Sequence, residues 1–377
     1  MIYTTLGNAT PSALGLGCMR LPTKEGGEID VGAVREMVAY AMTHGVNYFD
    51  TAWGYHGGAS ETVMGEVLSE YPRESYYLTS KFPGYDVSNL GKVREIFPKQ
   101  LEKCRTEYFD FYLFHNVCEL NIDGYLDEKN GIFKYLSEQK RAGRIRHLGF
   151  SAHGSIETLL RFLDAYGEEM ELGMLQLNWL DWEFQNARAK VQLLTERGIP
   201  VFVMEPLRGG RLTSLADEYA QRLSALAPER TLAEWALRFV QGIPEVRVTL
   251  SGMSNLEQLK ENIATYAERR PLSDAERKAL LAVGRDMTSL GTYPCTSCRY
   301  CTEYCPQSLN IPWLIELYNE QVYSGGGFRV PMALRAVSDD KKPSACLSCR
   351  ACESVCPQEI RISEVMADFA QRIEGKA

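Results

Sequence analysis

The apolar positions of the first 290 residues follow two alternating patterns. Short runs at 13–18, 47–51, 76–81, 109–115, 145–151, 174–178, 200–205 and 246–251 are rich in β-branched or aromatic residues and lack polar alternation. Such runs suit parallel strands buried on both faces. Between them lie stretches with a helical apolar period, at 31–44, 60–70, 93–103, 125–142, 156–166, 186–197, 232–240 and 256–266. Gly45, Gly143 and Gly198 follow three of these as C-terminal stops. Eight strands each followed by a helix describe an α/β fold, the (β/α)8 TIM barrel. An open doubly wound sheet uses the same alternation. The count of eight, and a reactive residue at the end of successive strands, favour the barrel. One more helix is predicted from Pro271 to about Leu290, opened by Ser273 and Asp274.

From about residue 291 the pattern gives way to cysteines. Cys295, Cys298, Cys301 and Cys305, followed by Pro306, fit C-x2-C-x2-C-x3-C-P. Cys346, Cys349, Cys352 and Cys356, followed by Pro357, fit it again. This spacing reads as two [4Fe–4S] clusters of the bacterial ferredoxin kind, in which the last cysteine of each run ligates the other cluster. The expected ligand sets are Cys295, Cys298, Cys301 and Cys356 for one cluster, and Cys346, Cys349, Cys352 and Cys305 for the other. Structural zinc has no use for this spacing. Disulfides belong to secreted chains, and the N-terminus lacks the basic start and long apolar stretch of a secretory signal. The organisation expected is therefore a barrel over 1–290 and a small ferredoxin-like domain of helices and loops over 291–377. The spacer between the cysteine runs holds an amphipathic stretch at 312–323 and a glycine turn at 325–327. That insert is expected to pack on the barrel or a partner. The junction has no low-complexity linker, which predicts docked domains.

Composition narrows the function classes. The chain has 377 residues, 45% hydrophobic and 24% charged, as in a globular protein with a large core. Its net charge of −8 argues against nucleic acid as the main partner. No run of 18 apolar residues exists, so a membrane span is not expected. Unpaired thiols in quantity point to a reducing compartment, the cytoplasm. Cys18, Cys104 and Cys118 read as packed thiols.

The strand ends carry the chemistry. The second ends Phe49-Asp50-Thr51 with Tyr55 four residues on, the third Thr79-Ser80-Lys81, the fourth Phe114-His115-Asn116. In a barrel an acid, a phenol, an amine and an imidazole would thus converge on one mouth. Reducing a carbonyl puts negative charge on oxygen as hydride reaches carbon, and a positioned acid must supply a proton. Tyr55 would be that acid, with Lys81 as the cation that stabilises its phenolate form. Asp50 would hold Lys81, and His115 would orient the carbonyl oxygen.

Asp50, Tyr55, Lys81 and His115, with the context FDTAWGYHGGASETVMGEVL, resemble the tetrad of the aldo/keto reductase family. The resemblance covers roughly the first 290 residues. It implies reversible hydride transfer between a nicotinamide, NADP or NAD, and a small carbonyl or alcohol. It also implies cofactor contacts: Ser151 and Gln176 for the carboxamide, and Leu207, Gly209 and Arg211 for phosphate. Ser251, Gly252 and Met253 would add phosphate contacts, and Glu261 and Asn262 would line the adenine side. The chain departs from the family at Ala152, Met204 and Gln258, where asparagine, an aromatic and arginine are common. His56 and His153 fall near the mouth, and Tyr3 with the N-terminal stretch is expected to plug the barrel bottom. The loop after the fourth strand, with Glu119, Asp123 and Asp127, disfavours a strongly anionic substrate.

A nicotinamide delivers two electrons as hydride, whereas a cubane cluster passes one. Three readings follow. The first is a nicotinamide-dependent carbonyl reductase whose clusters hold the tail in place or sense redox state. The second is a ferredoxin-linked oxidoreductase, with a redox partner protein feeding electrons through the clusters to a flavin or substrate. The third is an electron carrier with a relic barrel, which the intact tetrad disfavours.

Overall fold

A computed structural model of the chain describes residues 1–289, 291–295, 298–325, 327–356 and 358–375. The expectations for Leu290, Gly326 and Pro357 lie outside these residues. Two compact units are present. One comprises Met1–Val117 and Asn121–Val283, the other Cys118–Leu120 and Gly284–Ala377.

In the first unit eight parallel strands close into a barrel in sequence order. They are β1 (Leu14–Gly17), β2 (Tyr48–Asp50), β3 (Tyr77–Phe82), β4 (Phe109–Val117), β5 (Ile145–Ala152), β6 (Leu172–Gln176), β7 (Val201–Met204) and β8 (Val246–Ser251). Residues two apart along a strand share a face. Accordingly Phe111 and Leu113 of β4, Leu172 and Met174 of β6, and Val248 and Leu250 of β8 gather into one buried cluster with Tyr48 and Phe202. Leu6 and Ala9, which pair across a tight N-terminal turn, complete it. The expected plug is therefore made by Leu6 and Ala9. Tyr3 is exposed, its hydroxyl donating to the Gly45 carbonyl at 3.0 Å.

Helices Val93–Lys103 and Ile156–Tyr166 stand where the periodicity puts them. The helix predicted over 125–142 is broken. It becomes Ile122–Leu126, a turn, and Ile132–Arg141, because Gly131 takes φ of 61°. The sixth strand ends at Gln176, two residues before the expected end, because Asn178 turns to accept from the Leu180 and Asp181 amides. A helix at Asp217–Ser224 was not expected. The helix Asp274–Ser289 opens on a capping box, in which the Ser273 amide donates to Glu276 at 2.8 Å. Cys18, Cys104 and Cys118 are buried.

The second unit has its own small core. Helix Ile311–Ser324 buries Leu314, Leu317 and Tyr318 in one cluster with Val365, Met366 and Phe369 of helix Ile362–Glu374. The spacer helix thus spends its apolar face inside its own unit. The Asn319 amide fixes the chain entering the first cysteine run, bonding the Tyr293 N–H and carbonyl at 2.8 Å each. Among the described residues no helix is long and apolar enough to cross a membrane.

Candidate active site

Four side chains meet at the carboxyl ends of β2, β3 and β4. Lys81 is 1% exposed and spends all three ammonium protons. They reach Asp50 Oδ1 at 2.5 Å, the Thr51 carbonyl at 2.8 Å and Tyr55 Oη at 3.3 Å. Burial alone would push this ammonium down; Asp50 and Tyr55 more than reverse it, and Lys81 is held above its ordinary range. The Tyr55 oxygen accepts from Lys81, so its own proton is left for another acceptor. Burial raises the Tyr55 phenol, and the Lys81 charge pulls it only part of the way back. The net direction is opposite to the lowering expected from Lys81 alone, and it keeps the phenol protonated at neutral pH.

Backbone irregularities aim these groups. Tyr55 opens a short turn, Tyr55–Gly58, in which His56 takes φ of 51° and accepts the Leu21 amide on Nε2 at 3.0 Å. His56 therefore works as a loop clamp. The β4–β5 register breaks between Phe114 and Val117, and Asn116 takes φ of 59°. Such a bulge re-aims a strand residue, and here it contains His115. The His115 ring stands edge-on to Tyr55, centroids 5.9 Å apart. Burial, then Lys81 and His153, push its pKa well below the ordinary histidine value, so the imidazole is neutral. His115 Nδ1 is buried and has no hydrogen-bond partner among the described residues.

The other expected site residues are distributed around the same mouth. Ser151 Oγ accepts the Asn116 amide at 2.8 Å. Gln176 donates to Asp181 at 2.8 Å, which turns its oxygen to His153 Nδ1 at 3.0 Å. Asn262 donates to Ser251 Oγ at 2.9 Å, and Glu261 accepts from Thr231. Met253 is buried, Leu207 half-buried, and Gly209, Arg211 and Gly252 are exposed. In the loop after β7 Arg208 is buried against Asp181, at 3.1 Å from both carboxylate oxygens. Asp123 pairs with Arg161 at 2.6 Å, and Asp127 caps the turn at Lys129.

The eight cysteines of the two runs line two cavities. One is lined by Cys305, Cys346, Cys349 and Cys352. The other is lined by Cys295, Cys298, Cys301 and Cys356. This is the crossed grouping expected from the spacing. Ile362 lines both cavities. Non-glycine residues with left-handed backbone recur at equivalent places in the two runs, Arg299 with Arg350 and Ser308 with Glu359. Such turns point successive amides into a concavity suited to an anionic centre, iron–sulfur sites included. One of these amides, Leu309 N–H, donates to Cys305 Sγ at 3.4 Å. The donor set and its amides fit a thiolate-ligated iron–sulfur cluster.

Residues 13–284 match the model of the aldo/keto reductase family. The chain belongs to that family. Residues 294–360 match the model of a 4Fe-4S dicluster domain, so this aldo/keto reductase-type oxidoreductase carries a C-terminal iron–sulfur domain. Among curated relatives, the uncharacterized oxidoreductase YqkF of Bacillus subtilis is 27% identical over 292 residues, covering 71% of this chain and 91% of the relative. The NADH-specific methylglyoxal reductase of Escherichia coli is 26% identical over 293 residues, covering 66% of this chain and 87% of the relative. Among solved structures, the holo form of aldo-keto reductase AKR11C1 from Bacillus halodurans aligns with a TM-score of 0.63 at 24% identity, covering 75% of this chain and 96% of that one. An aldo/keto reductase of Klebsiella pneumoniae in complex with NADP and acetate aligns with a TM-score of 0.59 at 21% identity, covering 73% and 92%. These likenesses extend to the barrel fold.

Within this aldo/keto reductase three residues of the mouth escape the sequence reading. Arg20, just past β1, lies between the loops after β7 and β8. A Cβ on Gly209 would stand 3.0 Å from its guanidinium, and one on Gly252 would stand 3.3 Å from its Cδ. Arg20 has no ion-pair partner among the described residues. Glu61 is fully buried and accepts from Ser80 at 2.7 Å, Gln100 at 2.6 Å and Lys103 at 2.8 Å. Gln100 in turn holds the Lys81 carbonyl at 3.0 Å. Tyr85 stands against His115. None of the three follows a spacing that sequence alone would single out.

Proposed function

We propose that the barrel reduces a small carbonyl compound with NAD(P)H, Tyr55 being the proton donor. A reduced nicotinamide, when bound, supplies the hydride. Arg20, with the bare backbone of Gly209 and Gly252, would take its phosphates, since two glycines and an unpaired guanidinium form a cradle that a Cβ would fill. Ser251 and Asn262 would support the same end, and Ser151 and Gln176 would face the carboxamide. Neutral His115 would hydrogen-bond the carbonyl oxygen and set its angle. Tyr55 would then protonate that oxygen, with the Lys81 ammonium stabilising the phenolate left behind and Asp50 fixing Lys81.

The observation that carries this reading is the Lys81 ammonium, whose three donors are spent so that the Tyr55 proton is the one left to give. The two sets of four cysteines would hold two [4Fe–4S] clusters, which when bound pass single electrons. The test is aldehyde-dependent oxidation of NADH or NADPH by the anaerobically purified full chain. Tyr55→Phe should slow it by roughly 10²- to 10⁴-fold. Turnover with a reduced one-electron carrier, but with neither NADH nor NADPH, would overturn the reading.

A further inference from the structure

Tyr85 is a second phenol at the barrel mouth, without a part in the chemistry proposed above. Its ring stands edge-on to His115 with centroids 5.0 Å apart and planes at 84°. Tyr55 meets the same imidazole at 5.9 Å and 81°. One imidazole is therefore flanked by two phenols. The loop carrying Tyr85 is fixed. The Gly84 amide bonds the Phe82 carbonyl at 2.8 Å, and the Asn89 side chain bonds the Pro83 carbonyl at 3.3 Å. The Tyr125 hydroxyl, which donates to the His115 carbonyl at 2.8 Å, packs where a Gly84 Cβ would be, 2.3 Å away. The Tyr85 hydroxyl lies over Gly54, the residue before Tyr55, and a Cβ there would meet it at 2.1 Å. Tyr85 is half-buried, and its hydroxyl has no hydrogen-bond partner among the described residues. Burial, with Asp86 and Glu61, raises its pKa, so it remains a donor through neutral pH.

We propose that a carbonyl compound whose oxygen is held by Tyr55 and His115 presents its neighbouring carbon to Tyr85, and that Tyr85 determines specificity, its hydroxyl hydrogen-bonding a second oxygen on that carbon. The preferred substrates are then 2-oxygenated carbonyl compounds. A plain aldehyde leaves the phenol desolvated and unpaired, and that penalty produces the discrimination.

This inference rests on the nicotinamide-dependent carbonyl reduction proposed above. The experiment compares kcat/KM for 2-hydroxypropanal and 2-methylpropanal, which differ by a hydroxyl in place of a methyl. The parent should prefer the hydroxylated aldehyde by roughly tenfold. Tyr85→Phe keeps the ring on His115 and should remove the preference by raising kcat/KM for 2-methylpropanal, because no phenol is then left unpaired. Gly54→Ala displaces the hydroxyl without deleting it and should weaken the preference too. A preference that survives Tyr85→Phe, or equal losses on both aldehydes, would overturn the inference. So would turnover of both by the parent with no preference, and in that case the nicotinamide reading would stand. No turnover with either aldehyde overturns both.

Discussion

At the scale of single residues, the centre of this protein is a buried ammonium. Lys81 can sit at 1% exposure only because Asp50 meets it at 2.5 Å and two oxygens take its other protons. Lys81→Met should therefore lower stability by about 3–5 kcal/mol, by stranding the Asp50 charge. Urea denaturation under anaerobic conditions measures this, and a loss below about 1 kcal/mol would refute the buried pair. His115 gives a pH dependence of defined sign. Its folded-state pKa is depressed, so below the ordinary value of about 6.5 the unfolded chain binds a proton that the folded chain refuses. Stability then falls as pH drops, by up to about 1.4 kcal/mol per pH unit. His115→Asn should flatten that slope between pH 6.5 and 5. Equal slopes in parent and variant would refute the assignment.

At the scale of elements, one buried carboxylate ties the wall behind the site together. Glu61 on helix Ser60–Leu68 collects donors from β3 and from helix Val93–Lys103, and Tyr112 of β4 joins through Gln100 at 2.5 Å. The two helices approach closely enough to exclude a methyl group. A Cβ on Gly65 would stand 2.3 Å from the Lys103 carbonyl and 2.7 Å from the Cys104 Cα. Gly65→Ala should destabilise by about 1–3 kcal/mol, read by denaturant midpoint. Backbone cannot rotate aside as a side chain can. The misread helix over 125–142 teaches the complementary lesson. Its periodicity persists through Asn130-Gly131, and the left-handed turn there, not the pattern of apolar residues, decides that two elements form.

At the scale of the molecule, the two units differ in how they are held. The barrel has a large continuous core of strand residues. The cysteine-bearing unit rests on a smaller core, built from helices Ile311–Ser324, Arg329–Arg335 and Ile362–Glu374, beside the two cysteine-lined cavities. The anaerobic protein should hold about eight iron atoms per chain, with matching sulfide. Stripping iron with a chelator should abolish a thermal transition belonging to residues 284–377 and leave the barrel transition in place, because binding free energy is folding free energy in so small a core. Calorimetry of loaded and stripped protein checks this. An unchanged trace would mean that the metal contributes nothing to that unit.

Periodicity announced strands alternating with helices, because strands buried on both faces leave unbroken apolar runs and the helices between them leave a helical period. The count of eight and the reactive residues at successive strand ends favoured closure into a barrel. Cysteine spacing was enough to sort the eight cysteines into the two sets that line the two cavities, because a cube corner demands closely spaced ligands. Asp50, Tyr55, Lys81 and His115 were legible from their places at strand ends. What sequence could not hold is the direction of each side chain and the identity of its neighbours. Only the folded chain turned Arg208 inward to Asp181, left Arg20 between two glycine loops, raised the Tyr55 phenol by burial against the pull of Lys81, and set Tyr85 against His115. Those facts come from contacts between residues far apart in the chain, where desolvation and close approach act and no local pattern records them.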